Sequence, residues 1–168
     1  MCVLEQSSVG QQQDGRLDFD FFMGAWKVRH RVLRKRLKGS QEWDEFEGVS
    51  VAHKVLDGLG NIDEITMERP AGHTAGMTVR LFDPQTQQWS IYWADTVNGG
   101  LQQPMFGEFK GGRGVFYNQE PLDGKKIFVR FIWSNLSPNT CQWEQAFSSD
   151  GGDSWETNWI MEFARIQE

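Results

Sequence analysis

Four polar side chains fall on the apolar phase of segments that otherwise alternate between apolar and polar residues: His30 between Val28 and Val32, Arg80 two before Phe82, Asp95 two beyond Trp93, and Gln145 between Trp143 and Phe147. A buried charge is costly unless it is paired, so Arg80 and Asp95 need partners, which are each other, a neighbouring group or a ligand. An arginine beside an indole and a carboxylate can hold a planar anionic or carbonyl-bearing compound by charge-assisted hydrogen bonds and stacking. The same set allows a second chemistry, with Asp95 or His30 as general acid or base and Arg80 on an anionic or enolate group. That would suit a cofactor-independent cyclase, isomerase or hydrolase. For each residue alone, a satisfied structural group is the plain alternative.

The positions of these residues depend on register. If Asp83-Pro84-Gln85-Thr86-Gln87-Gln88 closes a hairpin, Phe82 lies opposite Trp89 and Arg80 opposite Ile91, leaving Arg80, Trp93 and Asp95 along one face. Later segments add walls through one alternation set: Val129, Phe131 and Trp133, then Cys141, Trp143, Gln145 and Phe147, then Trp155, Thr157, Trp159, Met161 and Phe163. A water-soluble domain would not turn all of these aromatics outward. The opposite set holds Arg130 and Glu144, expected to face each other if Ser134 pairs with Thr140. The candidate ligand-binding residues are therefore His30, Arg80, Trp93, Asp95, Trp133, Gln145 and Trp159, and no residue is assigned a catalytic role.

Other chemistries lack their signatures. The chain has no nucleophile elbow, phosphate loop, dinucleotide fingerprint or Cys/His metal spacing, so neither a cofactor nor a metal is expected. A net charge of −6 argues against a nucleic-acid partner. One dense basic run, Lys27, Arg29, Arg31, Arg34, Lys35, Arg36 and Lys38, alternates with Trp26, Val28, His30 and Val32. It reads as the wet face of a strand, with an anion-binding stripe as the alternative. Cys2 and Cys141 cannot make a disulfide framework. The opening Met-Cys-Val-Leu-Glu-Gln-Ser-Ser has no signal-peptide stretch and no run is long enough to span a membrane, so a cytoplasmic monomer or homodimer is expected.

Residues 1–16, rich in Gln, Ser and Gly, read as a flexible tail, and residues 17–168 as a single domain. Leu17 to Met23 is too short for a stable helix and suits one helical turn plugging the end of a barrel. Period-two segments follow at about 25–36, 43–56, 61–68, 76–83, 88–95, 104–110, 114–118, 125–134, 140–148 and 155–165, separated by turn signals such as Asn98-Gly99-Gly100 and Asp123-Gly124. This is an all-β pattern: an antiparallel up-and-down meander of about ten strands, which closes on itself to remove its edges. The 8 Trp and 12 Phe of the chain need such an interior or a ligand to stack on.

Phe22-Met23-Gly24-Ala25-Trp26 carries the family resemblance. A Gly-x-Trp opening the first strand after a short helical turn resembles the calycins, the superfamily of lipocalins and fatty-acid-binding proteins. More closely, Leu17 to Ala164 is similar to a family of small bacterial lipocalin-like domains of uncharacterised function, marked by Asp-Phe-x-Phe-x-x-Gly-x-Trp and Asp-Gly-Gly-x-x-Trp. The resemblance implies a barrel that binds a small apolar or aromatic molecule in its lumen, with Trp26 on the floor beneath a basic residue of the last strand, here Arg165. The lipocalin Thr-Asp-Tyr signature is missing, as is a helical lid between the first two strands. No histidine lies beyond His73, so a haem-binding barrel is not implied. Ser148-Ser149-Asp150-Gly151-Gly152-Asp153-Ser154-Trp155 matches an Asp-box, which as a single copy reads as a structural hairpin.

Overall fold

Alternation of this kind yields strands whose inner side chains form a core and whose outer ones meet water. A computed structural model, describing residues 14–167, places ten of them: β1 Gly24–Leu33, β2 Trp43–Val55, β3 Gly60–Arg69, β4 Gly72–Asp83, β5 Gln88–Asp95, β6 Met105–Lys110, β7 Arg113–Leu122, β8 Lys125–Ser134, β9 Thr140–Ser148 and β10 Glu156–Arg165. Each pairs antiparallel with its sequence neighbours, and β1 pairs with β10, so the sheet is a closed ten-stranded barrel without a free edge. Most of the tail expected over residues 1–16 lies outside the described residues. Of its last three residues, Asp14 caps a 3₁₀ turn at Gly15–Leu17 to which Gly15 and Arg16 belong, and a second turn follows at Asp20–Phe22.

These turns plug one end of the barrel. Phe19 and Phe22 are fully buried against Trp89, Phe109, Phe116, Trp133 and Phe163. Trp26 lies beneath them, its indole N–H donating to the Phe22 carbonyl at 2.8 Å. Closure of the barrel puts Trp26 opposite Arg165, whose guanidinium carbon sits 4.1 Å above the indole. The same guanidinium donates to the carbonyls of Met23, Phe21 and Pro138, tying the plug to β1 and to the β8–β9 loop.

Two expectations on the later strands are corrected. The β8–β9 register pairs Ser134 with Gln142 rather than Thr140, so Arg130 faces Ala146, and Ile132 faces Glu144. The expected Arg130–Glu144 pair does not form, because the connecting loop is two residues longer and closes locally through Ser137 and Thr140. Arg130 instead lies 4.3 Å from the ring of Trp155. That ring belongs to the outer face, since a β-bulge at Asn158 shifts the phase of β10: Thr157 pairs with Ala146, but Trp159 with Gln145. Trp159, Met161 and Phe163 remain inside, while Trp155 and Thr157 do not.

Candidate functional site

Above the plug the barrel encloses a cavity of about 570 Å³. Six of the seven residues expected to meet there do so: Arg80, Trp93, Asp95, Trp133, Gln145 and Trp159 all line it. The β4–β5 hairpin has the register that its turn implies, with Phe82 opposite Trp89, Arg80 opposite Ile91 and Thr78 opposite Trp93. Gly76 is needed beside them, because a Cβ at that position would overlap the Trp93 ring. His30 is the seventh. It is wholly buried and stacked on Phe46 with ring centroids 4.7 Å apart, behind the wall rather than in it.

His30 acts on the cavity through Trp159, whose indole N–H donates to Nδ1 at 3.2 Å. Nδ1 must then be unprotonated, so the neutral ring carries its proton on Nε2. Among the described residues Nε2 has no partner at hydrogen-bond geometry, although the Thr66 carbonyl is near enough to favour the charged form. Burial dominates and, with a smaller contribution from Arg69, holds the His30 pKa down at about 4. Gly48 makes room here, since a side chain on it would strike the Thr66 carbonyl and crowd His30.

Arg80 and Asp95 do not pair with each other. Arg80 points toward the plug, donating to Asn61 Oδ1 at 2.9 Å and to Asp63 Oδ2 at 3.3 Å, with its guanidinium over the rings of Phe19, Phe22 and Trp133. Both members of the Arg80–Asp63 ion pair are at most 5% exposed. Asp63 also accepts from the Thr78 backbone N–H, so each charge is hydrogen-bonded beyond the pair itself. Asp95 lies at the other end, the mouth. Its carboxylate accepts from the Trp93 indole at 2.9 Å, from the backbone N–H groups of Val97 and Asn98, and from the Asn98 side chain. Burial alone would raise its pKa, but these hydrogen bonds outweigh burial and hold it below the usual carboxylate range. Gln145 donates to Asn158, the bulge residue, at 2.8 Å.

The cavity therefore has an aromatic waist of Trp93, Phe131, Trp143 and Trp159 above a charged but internally paired floor. Its mouth is rimmed by the 96–104 loop, Arg36, Arg69 and Glu120. β5 and β6 share only three paired positions, Trp89 to Ile91, which leaves the Trp93–Asp95 end of β5 beside that loop. Sequence reasoning missed Asp63, Arg36 and Arg69. Extending the inward phase of β3 through Asn61, Asp63, Ile65 and Met67 to Arg69 would have found two of them. Among the described residues no group of three or more His, Cys, Asp or Glu side chains could hold a metal, and no helix is long and apolar enough to cross a membrane. The Asp-box is a turn: Ser148 and Ser154 hydrogen-bond Asp150, whose pKa they help to pull down to about 2.

No family model matches the chain, and no curated protein does. Among solved structures it is similar to the S-type phycobiliprotein lyase CPES from Guillardia theta, with a TM-score of 0.61 and 8% identity over 94% of this chain and 95% of that one. At that identity the likeness shows the fold alone, a closed antiparallel ten-stranded barrel.

Proposed function

We propose that this protein binds a small apolar or aromatic organic molecule in the barrel lumen. The observation that carries the reading is a 570 Å³ cavity with an aromatic waist, a size and lining suited to a small ligand. The structural neighbour is by its name a phycobiliprotein lyase, and its barrel is compatible with this reading without identifying a ligand. Trp93, Trp133 and Trp159 supply flat walls, while Arg80, Asp95 and Gln145 sit at the two ends and the side of the cavity. His30 holds Trp159 from behind.

Binding is favoured over catalysis by the state of the two candidate proton-transfer groups. Asp95 is saturated by hydrogen bonds and held ionised, and His30 is neutral, buried and already accepting at Nδ1. Asp95 has no lone pair left over. The Nε2 proton of His30, unpartnered among the described residues, lies beside Gly48 and the Thr66 carbonyl on a residue that does not line the cavity, whereas a general acid or base must reach its substrate. We infer a cytoplasmic monomer or homodimer whose partner is the small molecule. The experiment is thermal unfolding with a panel of flat apolar compounds. A ligand present at a hundred times its Kd adds about 2.7 kcal/mol of stability, and a clear rise in Tm for a subset of the panel supports the reading. No rise for any compound tells against it.

A further inference from the structure

Resting on the lumen-binding reading, we propose that the mouth receives an anionic head group between Arg36 and Arg69, so that the ligand is an amphipathic organic anion. The basic run around β1 provides the contrast. Arg29 and Arg31 pair with Glu45, Arg34 with Glu42 and Asp44, and Lys38 with Asp123, all on the outside. Arg36 leaves that face and turns into the mouth, where its guanidinium lies 5.3 Å from the Phe147 ring. Arg69, at the end of β3, comes in from the other side, over Phe46 at 5.1 Å and Trp159 at 5.7 Å.

Neither guanidinium forms an ion pair with a described residue, and among the described residues the side-chain hydrogen bond of Arg69 is a weak one to the Met67 sulfur. The nearby carboxylates are engaged by neutral donors: Asp95 as described, Glu156 by the Leu37 N–H at 2.6 Å and Glu120 by the Asn118 amide at 3.3 Å. Two half-buried cations are thus left facing one another across an aromatic rim. Burial, then repulsion from Arg69, pull the Arg36 pKa below its ordinary range, and Glu120 and Glu156 offset part of this from a distance. Guanidinium planes stacked on rings keep their N–H edges free, and those edges match the oxygens of a carboxylate or similar oxyanion. A bound anion there supplies the missing counter-charge while its apolar body extends down toward Trp93 and Trp143.

The test uses two fluorescent probes with one body: 8-anilinonaphthalene-1-sulfonate and its uncharged counterpart N-phenyl-1-naphthylamine. The wild type should bind the sulfonate more tightly. In R36Q/R69Q the sulfonate should lose roughly tenfold or more in affinity, as expected for charge-assisted hydrogen bonds, while the neutral probe stays within about twofold. Unchanged sulfonate binding beside unchanged neutral binding overturns the anion site and leaves the lumen reading intact. An equal loss of both probes assigns the arginines a structural role and also overturns it. Failure of both probes to bind the wild type removes the lumen reading itself, and the anion site with it.

Discussion

Trp159 and His30 form a hydrogen-bonded pair across the β1–β10 seam, the indole N–H of one on Nδ1 of the other at 3.2 Å, and only the tryptophan reaches the cavity. The pair makes the fold sensitive to acid. His30 has a folded pKa of about 4 against 6.5 for the free side chain, so between these values the unfolded chain binds more protons and stability falls as pH falls. The contribution is fully present above pH 6.5 and lost on passing down through about 4, and is on the order of 3 kcal/mol. In H30Q the difference in unfolding free energy between pH 7 and pH 4 should shrink by most of that amount in urea titrations. An unchanged difference would show that His30 is not held neutral by burial.

Trp26 and Arg165 close the floor, away from the cavity. Trp26→Ala should cost about 3–5 kcal/mol, the range for truncating a buried tryptophan, and leave probe affinity in the surviving folded protein near that of the wild type. A loss under about 0.5 kcal/mol by chemical denaturation would contradict the floor assignment.

The Arg80–Asp63 pair should behave as a unit. D63L alone strands a buried guanidinium and should destabilise by about 3–5 kcal/mol, whereas D63L/R80M should recover a large part of that loss. A double variant as unstable as the sum of its singles would show that the two charges are not coupled.

The bulge residue Asn158 is wholly buried and accepts from Gln145. N158A leaves that amide donor unpaired and should cost about 1–3 kcal/mol. If a two-dimensional amide spectrum and the denaturation midpoint both stay at wild-type values, the bulge does not depend on this contact.

Much of the barrel can be read from the sequence because its signals are local. Period-two alternation and Gly-rich turns give ten strands, and the six-residue Asp83–Gln88 turn sets the register that puts Arg80 and Trp93 on one face. What stays hidden depends on one extra residue or on a distant strand. Nothing local marks Asn158 as a bulge, so plain alternation sets Trp155 and Thr157 on the wrong face. A loop two residues longer than expected cancels the Arg130–Glu144 pair. Arg36 has the same sequence surroundings as its solvated neighbours, and only the path of the β1–β2 loop separates it from them. The inward phase of His30 is legible, but its place behind Trp159 is not, since that depends on barrel closure through β10.

The lumen is the proposed binding place for a small molecule. The direct measurement is energy transfer from tryptophan to N-phenyl-1-naphthylamine, titrated into the wild type, into the lumen-filling variants T78W and M161W, and into V51W on the outer face, with circular dichroism showing which variants keep the β-sheet. Thr78 and Met161 line the cavity, and Val51 is exposed on β2. A lumen site predicts saturable one-to-one binding in the wild type and V51W, lost or weakened roughly tenfold or more in a folded lumen-filled variant, since the added ring takes the ligand's place. Equal binding in all of these proteins, or none in the wild type, would contradict it.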